Sequence, residues 1–74
     1  MRKTDDRLRA IGLAIARERD KQGLSQIDLA LRLGYTDHSY LSRIENGKAS
    51  MSVTLLLNIA EALDLDVKHL FADL

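Results

Sequence analysis

The chain has 74 residues with no cysteine and no proline, and its 11 Lys and Arg balance 11 Asp and Glu to a formal net charge of zero. A chain this short makes one domain with modest burial, no disulfide or thiolate-metal site is available to reinforce it, and self-association is the remaining common route to extra burial. No stretch of about 18 apolar residues exists to span a membrane, the opening MRKTDDRLRA is too polar to lead a signal peptide, and a cytoplasmic location is expected.

In chain order, Met1 to Lys3 are expected to fray, and Thr4 or Asp5 can cap a first helix, with Asp5 and Asp6 set against the positive end of its dipole. Leu8, Ile11 and Ile15 repeat at i, i+3 and i+7, with Ala14 widening the stripe, so this face is core. Gly12 interrupts it at a cost of about 1 kcal/mol relative to alanine; a tolerated glycine is expected in preference to something packing close there. Arg17, Arg19, Asp20 and Lys21 follow, and Gly23 is the stop signal.

From Gly23 to Lys48 the chain reads GLSQIDLALRLGYTDHSYLSRIENGK, two short helices joined by a turn. Ser25 is a good N-cap, Gln26 opens the helix, Leu29, Ala30 and Leu33 face inward, and Gly34 follows as a left-handed stop, so this helix is expected to end at Leu33. Ile27 and Leu31, one turn apart, form an apolar pair outside that face. They are expected to pack under the turn near Tyr35, with a contact surface for another protein as the alternative. The next helix is expected to start near Asp37, bury Leu41 and Ile44, and stop at Asn46-Gly47. Its outer face carries His38, Ser39, Ser42 and Arg43.

After Gly47, Ser50 or Ser52 can cap a fourth helix running to about Leu63, with Val53, Leu56, Ile59, Ala60 and Leu63 inward and Leu55, Leu57 and Ala62 left over. A fifth short helix, capped by Asp66, carries Val67, Leu70 and Phe71, and Leu74 closes the sequence. This last third holds more leucine than one small domain needs. A dimer seam between the end of helix four and helix five is therefore expected within about residues 53–74, with Leu55, Leu57, Asn58, Val67, Phe71 and Leu74 as its candidate residues.

A helix held on its inner side, with hydrogen-bonding residues at i, i+1, i+4 and i+5 outside, has the shape to enter a DNA major groove. LSQ at Leu24 to Gln26, LA at Leu29-Ala30, LG at Leu33-Gly34, YLSRIENGK from Tyr40 to Lys48, and LLLNIAEALDLDVKHLF from Leu55 to Phe71 together resemble the Cro and repressor, or Xre, family of helix-turn-helix regulators over nearly the whole chain. One departure is visible: Tyr35, Thr36, Asp37 and His38 make a turn one residue longer than the family pattern. The resemblance implies that Arg19 pairs with Glu45 as a structural ion pair, and that Asn46 and Lys48 hold the DNA backbone.

Arg43 is the expected base reader, because a guanidinium can place two bonds on guanine O6 and N7; Ser39, Ser42 and His38 are further base-contact candidates with less discrimination. Ser25 and Gln26 stand where free amides and the helix dipole favour a phosphate, and Gln26 can also brace the recognition helix. Tyr40 can reach a phosphate from the helix flank or be a half-buried core tyrosine. Thr36, in the turn, is a cap or an edge phosphate contact. The charge is unevenly placed: residues 1–50 hold ten Lys and Arg against seven Asp and Glu, and residues 51–74 hold one against four. The basic excess lies with the reading helix but is mild, so a shallow salt slope is expected.

His38 and His69 stand on separate helices without ligand spacing, and neither a nucleophile elbow nor a phosphate-binding glycine loop occurs, so no enzyme activity, metal or cofactor is expected. The reading is an all-α, compact five-helix bundle of the phage-repressor DNA-binding type, a single domain over residues 1–74 with its helix-turn-helix in helices 2 and 3, about residues 25–46. It is expected to bind double-stranded DNA as a homodimer on a pseudo-palindromic operator, without a small-molecule ligand. Its size and layout resemble the controller proteins of restriction-modification systems, which both activate and repress; an activator would also touch RNA polymerase. Two other readings stand beside it. One is an antitoxin of the same fold that holds a toxin on an apolar surface at Ile27, Leu31 or Leu55 to Leu57. The other, to which the neutral charge lends weight, is a protein-interaction module that no longer binds DNA.

Overall fold

The computed structural model describes the backbone of residues 3–74 and the side chains of residues 6–74. Among the described residues there are four α-helices, α1 (Lys3–Lys21), α2 (Gln26–Arg32), α3 (Ser39–Glu45) and α4 (Val53–Ala62), followed by a 3-10 helix over Val67–Phe71. Of Met1 to Lys3, expected to fray, Met1 and Arg2 lie outside the described residues, whereas Lys3 is the first helical residue of α1. Thr4 and Asp5 are inside α1 and do not cap it, because the helix already includes Lys3.

The expected fifth α-helix is a 3-10 helix, which corrects the five-helix count. Its five residues leave little length for α hydrogen bonding. The Asp66 carboxylate accepts from Lys68 N at 3.0 Å, two residues on, and the buried Leu70 pins the segment to the core.

The α-helix ends repeat one device. Leu24 N donates to Arg19 O, Tyr35 N to Ala30 O, Lys48 N to Arg43 O and Leu65 N to Ala60 O, at 2.8–3.2 Å. Each bond closes around a residue with positive φ: Gly23, Gly34, Gly47 and Asp64. Only Asp64 meets that conformation with a side chain, and aspartate is among the few residues enriched there.

Ala14 and Ile15 from α1, Leu29 and Ala30 from α2, Leu41 and Ile44 from α3, Leu56, Ile59, Ala60 and Leu63 from the α4 region, and Leu70 form one buried cluster. Val53 is not part of it: as the first residue after the Ser52 cap it projects outward and is 74% exposed. Leu55 and Ala62 instead rest half-buried on the cluster, so of the three leftover residues only Leu57 is exposed.

Gly12 is where α1 crosses the end of α3. A Cβ there would stand 2.7 Å from the Glu45 carbonyl oxygen and closer still to that of Ile44. The glycine is thus required by a backbone approach, contrary to the expectation of a merely tolerated residue. Farther along the same crossing, Gly47 lies against Arg9, whose Cα would be 2.8 Å from an added Cβ.

Candidate nucleic-acid interface

Ser25 and Asp28 form a reciprocal capping box at the start of α2: Asp28 N donates to Ser25 Oγ at 3.0 Å and Ser25 N donates to Asp28 Oδ2 at 2.8 Å. The Ser25 bond draws the Asp28 carboxyl below the usual carboxylate range. A phosphate approaching α2 therefore meets a carboxylate in its first turn as well as the favourable dipole end.

The extra turn residue is absorbed before α3, which starts at Ser39 and not near Asp37. Asp37 Oδ1 accepts from Ser39 N at 2.8 Å, and that bond lowers its pKa. His38 occupies the N-cap position but makes no side-chain cap bond. The turn is packed by Tyr35 and Tyr40, whose rings meet edge to face with centroids 5.7 Å apart. Ile27 and Leu31 are exposed, Leu31 by 59%, so they do not pack away under this turn as expected.

Leu41, Ile44 and Glu45 turn α3 inward, leaving His38, Ser39, Arg43 and Asn46 exposed and Ser42 half-buried. Glu45 is only 6% exposed, yet its carboxylate is fully engaged. Arg19 donates to it twice, Nε to Oε2 at 2.8 Å and Nη2 to Oε1 at 3.1 Å, and Gln26 Nε2 donates to Oε1 at 2.9 Å. The bonds to Glu45 hold the Arg19 guanidinium still more firmly protonated. Arg19 Nη1 also donates to Leu24 O at 2.6 Å, tying the α1–α2 connection into the same network. One buried carboxylate thus fixes α1, α2 and α3 relative to one another, in the pairing that the resemblance implies. Gln26 performs the bracing expected of it, through its amide.

Around this frame the outer groups separate. Arg43 and Lys48 are exposed, and among the described residues no carboxylate lies within ion-pair distance of either. Asn46 folds back to donate from Nδ2 to Ser42 O at 2.9 Å. Tyr40 donates its hydroxyl proton to Ser50 O at 2.9 Å, so a phosphate contact by that proton requires this bond to break. Thr36 is exposed in the turn.

The candidate dimer residues fall into separate places. Leu57, Asn58 and Val67 line one shallow groove between α4 and the 3-10 helix, together with Leu65, Glu61, Asp64 and Asp66. Leu74 lines another, against Asp6, Arg7 and Ala10 of α1, where Asp73 accepts from Arg17 at 2.9 Å. Leu55 is half-buried on the core and Phe71 is partly exposed.

Sequence reasoning missed Arg9. It shares a groove with Leu8, Asn46, Gly47, Lys48 and Ser50, although 37 positions separate it from Asn46. The only advance signal was the pair Gly12 and Gly47, whose missing side chains permit the crossing.

The family model described as helix-turn-helix matches residues 15–70. The chain belongs to the Xre-type helix-turn-helix family. In class it is a DNA-binding transcriptional regulator. Among solved structures, the restriction-modification controller protein C.AhdI from Aeromonas hydrophila is similar with a TM-score of 0.81 and 36% identity, over 86% of this chain and 96% of that one. The clp gene regulator ClgR from Corynebacterium glutamicum is similar in two structures, with TM-scores of 0.82 and 0.83 and 28% identity over 88% of this chain, covering 83% and 68% of those chains. No curated protein sequence matches. Among the described residues no helix is long and apolar enough to cross a membrane.

Proposed function

We propose that the protein is a sequence-reading regulator that binds a pseudo-palindromic DNA operator as a homodimer, with α3 of each protomer in a major groove. The observation that supports this best is the contrast between the two sides of α3. Its inner side is locked by Leu41, Ile44 and the Arg19–Glu45–Gln26 network, while Arg43 stands exposed with no carboxylate among the described residues within ion-pair distance. In this reading Arg43 reads guanine, Ser39, His38 and Ser42 fill in base contacts, and Asn46 and Lys48 hold the backbone. Ser25, Gln26, Thr36 and Tyr40 flank that contact. The finer role we favour is control of a restriction-modification system, supported by the likeness to C.AhdI across 96% of that protein.

Selection of binding sites from a random duplex pool tests the reading. The expected result is a two-fold symmetric motif with half-sites about 34 Å apart along the helix axis. Recovery of nothing above background would overturn it. A second reading draws on the exposed Ile27 and Leu31: an antitoxin that binds DNA by α3 and a toxin by α2. A toxin encoded beside the gene, and captured by the wild type but not by Ile27→Ser/Leu31→Ser, would favour it.

A further inference from the structure

We infer that the groove between α1 and the loop after α3 is a seat for a phosphate of the DNA backbone, and that Arg9 supplies one of its two charges. The inference rests on the DNA-binding reading above and adds to it a contact from a helix outside the helix-turn-helix.

The groove is lined by Leu8, Arg9, Asn46, Gly47, Lys48 and Ser50. One wall is α1 and the other is the segment that leaves the recognition helix. Arg9 and Lys48 bring one positive charge from each wall, Asn46 and Ser50 bring neutral polar groups, and among the described residues no carboxylate lines the space. Two other grooves on the surface differ in this respect: one carries Glu61, Asp64 and Asp66 without a cation, and the other sets Asp6 and Asp73 around Arg7. An anion is favoured in the first groove and opposed by carboxylates in the others.

The walls are also fixed in relation to each other. Gly47 takes φ +73° and lets the α1 backbone at Arg9 approach to a distance at which any side chain would collide. Gly12 does the same three residues on, where α1 meets the Ile44 and Glu45 carbonyls. Arg9 therefore starts from a backbone held against the end of the recognition helix, and no carboxylate among the described residues lies within ion-pair distance of it. When α3 enters the major groove, the strand passing its C-terminal end runs beside this seat. Phosphate contacts of this kind set register and add affinity without reading sequence.

The test uses the full chain and measures affinity against salt concentration for the selected operator and for a random duplex. Arg9→Gln is expected to make the slope of log K against log salt shallower by about 0.9, so that the loss of affinity between 50 and 200 mM salt becomes about 3.5-fold smaller. Operator and random duplex should weaken together, leaving their ratio unchanged, and Arg9→Lys should restore the slope. Replacing single phosphates by neutral methylphosphonates is expected to locate one position where Arg9→Gln causes no further loss. An unchanged slope with Arg9→Gln, or a loss confined to the operator, would overturn the inference while leaving the DNA reading intact. A wild-type protein with no salt-dependent affinity for any duplex would overturn both.

Discussion

Arg43 and Lys48 carry the same charge a few residues apart, and the proposed function gives them different work on DNA. Arg43 projects from the exposed face of α3, where a planar guanidinium can match the two acceptors of guanine; Lys48 stands beyond the helix end, where the proposed role of its point charge is to meet a phosphate. Arg43→Ala is expected to cost roughly 1 to 3 kcal/mol on the operator and much less on random duplex. Lys48→Ala is expected to weaken both alike and to lower the salt slope by about one. Titrations of both duplexes at several salt concentrations check the pair of variants, and equal behaviour of the two would remove the division of roles. Gly12 makes a separate demand at the same scale. Alanine there gains about 1 kcal/mol of helix propensity, but its Cβ collides with two backbone carbonyls of α3 that no rotamer change can move. Such overpacking typically costs 1–3 kcal/mol, and the tightness of this contact puts the loss toward the upper end. Gly12→Ala is expected to lower the melting temperature by several degrees, and an equal or higher value would mean that the helices do not meet this closely.

At the scale of elements, much of the layout was legible because it is local chemistry. Ser25, Ser52 and Asp66 cap where their types say they should, and the glycines at positions 23, 34 and 47 stop their helices. Arg43, Ser39 and His38 reach the outer face of α3 because the 3.6-residue period fixes which side Leu41 and Ile44 must bury. What escaped were facts of tertiary placement. Val53 fits the apolar pattern of α4 but falls in its first turn, beyond the reach of the core. The 37 positions between Arg9 and Asn46 hide a groove that exists only because two helices cross. The helix start expected near Asp37 falls at Ser39, whose N–H donates to Asp37 Oδ1. The caps also carry a pH dependence. Asp28 and Asp37 are lowered below the ordinary carboxylate range, first by the backbone bonds they accept. The unfolded chain then binds their protons more tightly than the folded one. Their stabilisation is present above the ordinary carboxylate range and is lost as the pH falls through their lowered values. Asp28→Ala is therefore expected to melt below the wild type near pH 7, with the gap narrowing as the pH falls below the ordinary carboxylate range and the wild-type carboxylate protonates. A gap of constant size across that range would show that the capping charge is not its source.

At the scale of the whole molecule, the domain measures 33 × 23 × 21 Å, against a helical repeat of about 34 Å between successive major-groove faces. Two such domains in direct contact can thus set their recognition helices about one turn apart without a spacer, provided that the contact surface lies to one side of α3. The groove holding Leu57, Asn58 and Val67 is the surface we propose for this contact: it belongs to α4 and the 3-10 helix, whereas the exposed face of α3 and the Arg9 groove belong to other elements. Leu57 is the residue on which the seam can be tested, since it is 50% exposed and little of the protomer core depends on it. A two-fold contact counts each change twice. Burying the open half of a leucine in each protomer contributes about 1.5 to 3 kcal/mol in total, or roughly 10- to 100-fold in the dimer constant. Leu57→Glu also adds a negative charge beside Glu61, Asp64 and Asp66, so two apposed copies repel more strongly than those carboxylates already make the wild type do. Sedimentation equilibrium is expected to find this variant monomeric at concentrations where the wild type is dimeric, with its melting temperature at limiting dilution unchanged. Full-operator affinity should fall with the dimer constant while half-site affinity holds. A variant that remains dimeric and binds the full operator normally would move the seam elsewhere, and the patch at Leu74 against α1 would be the next place to introduce a charge.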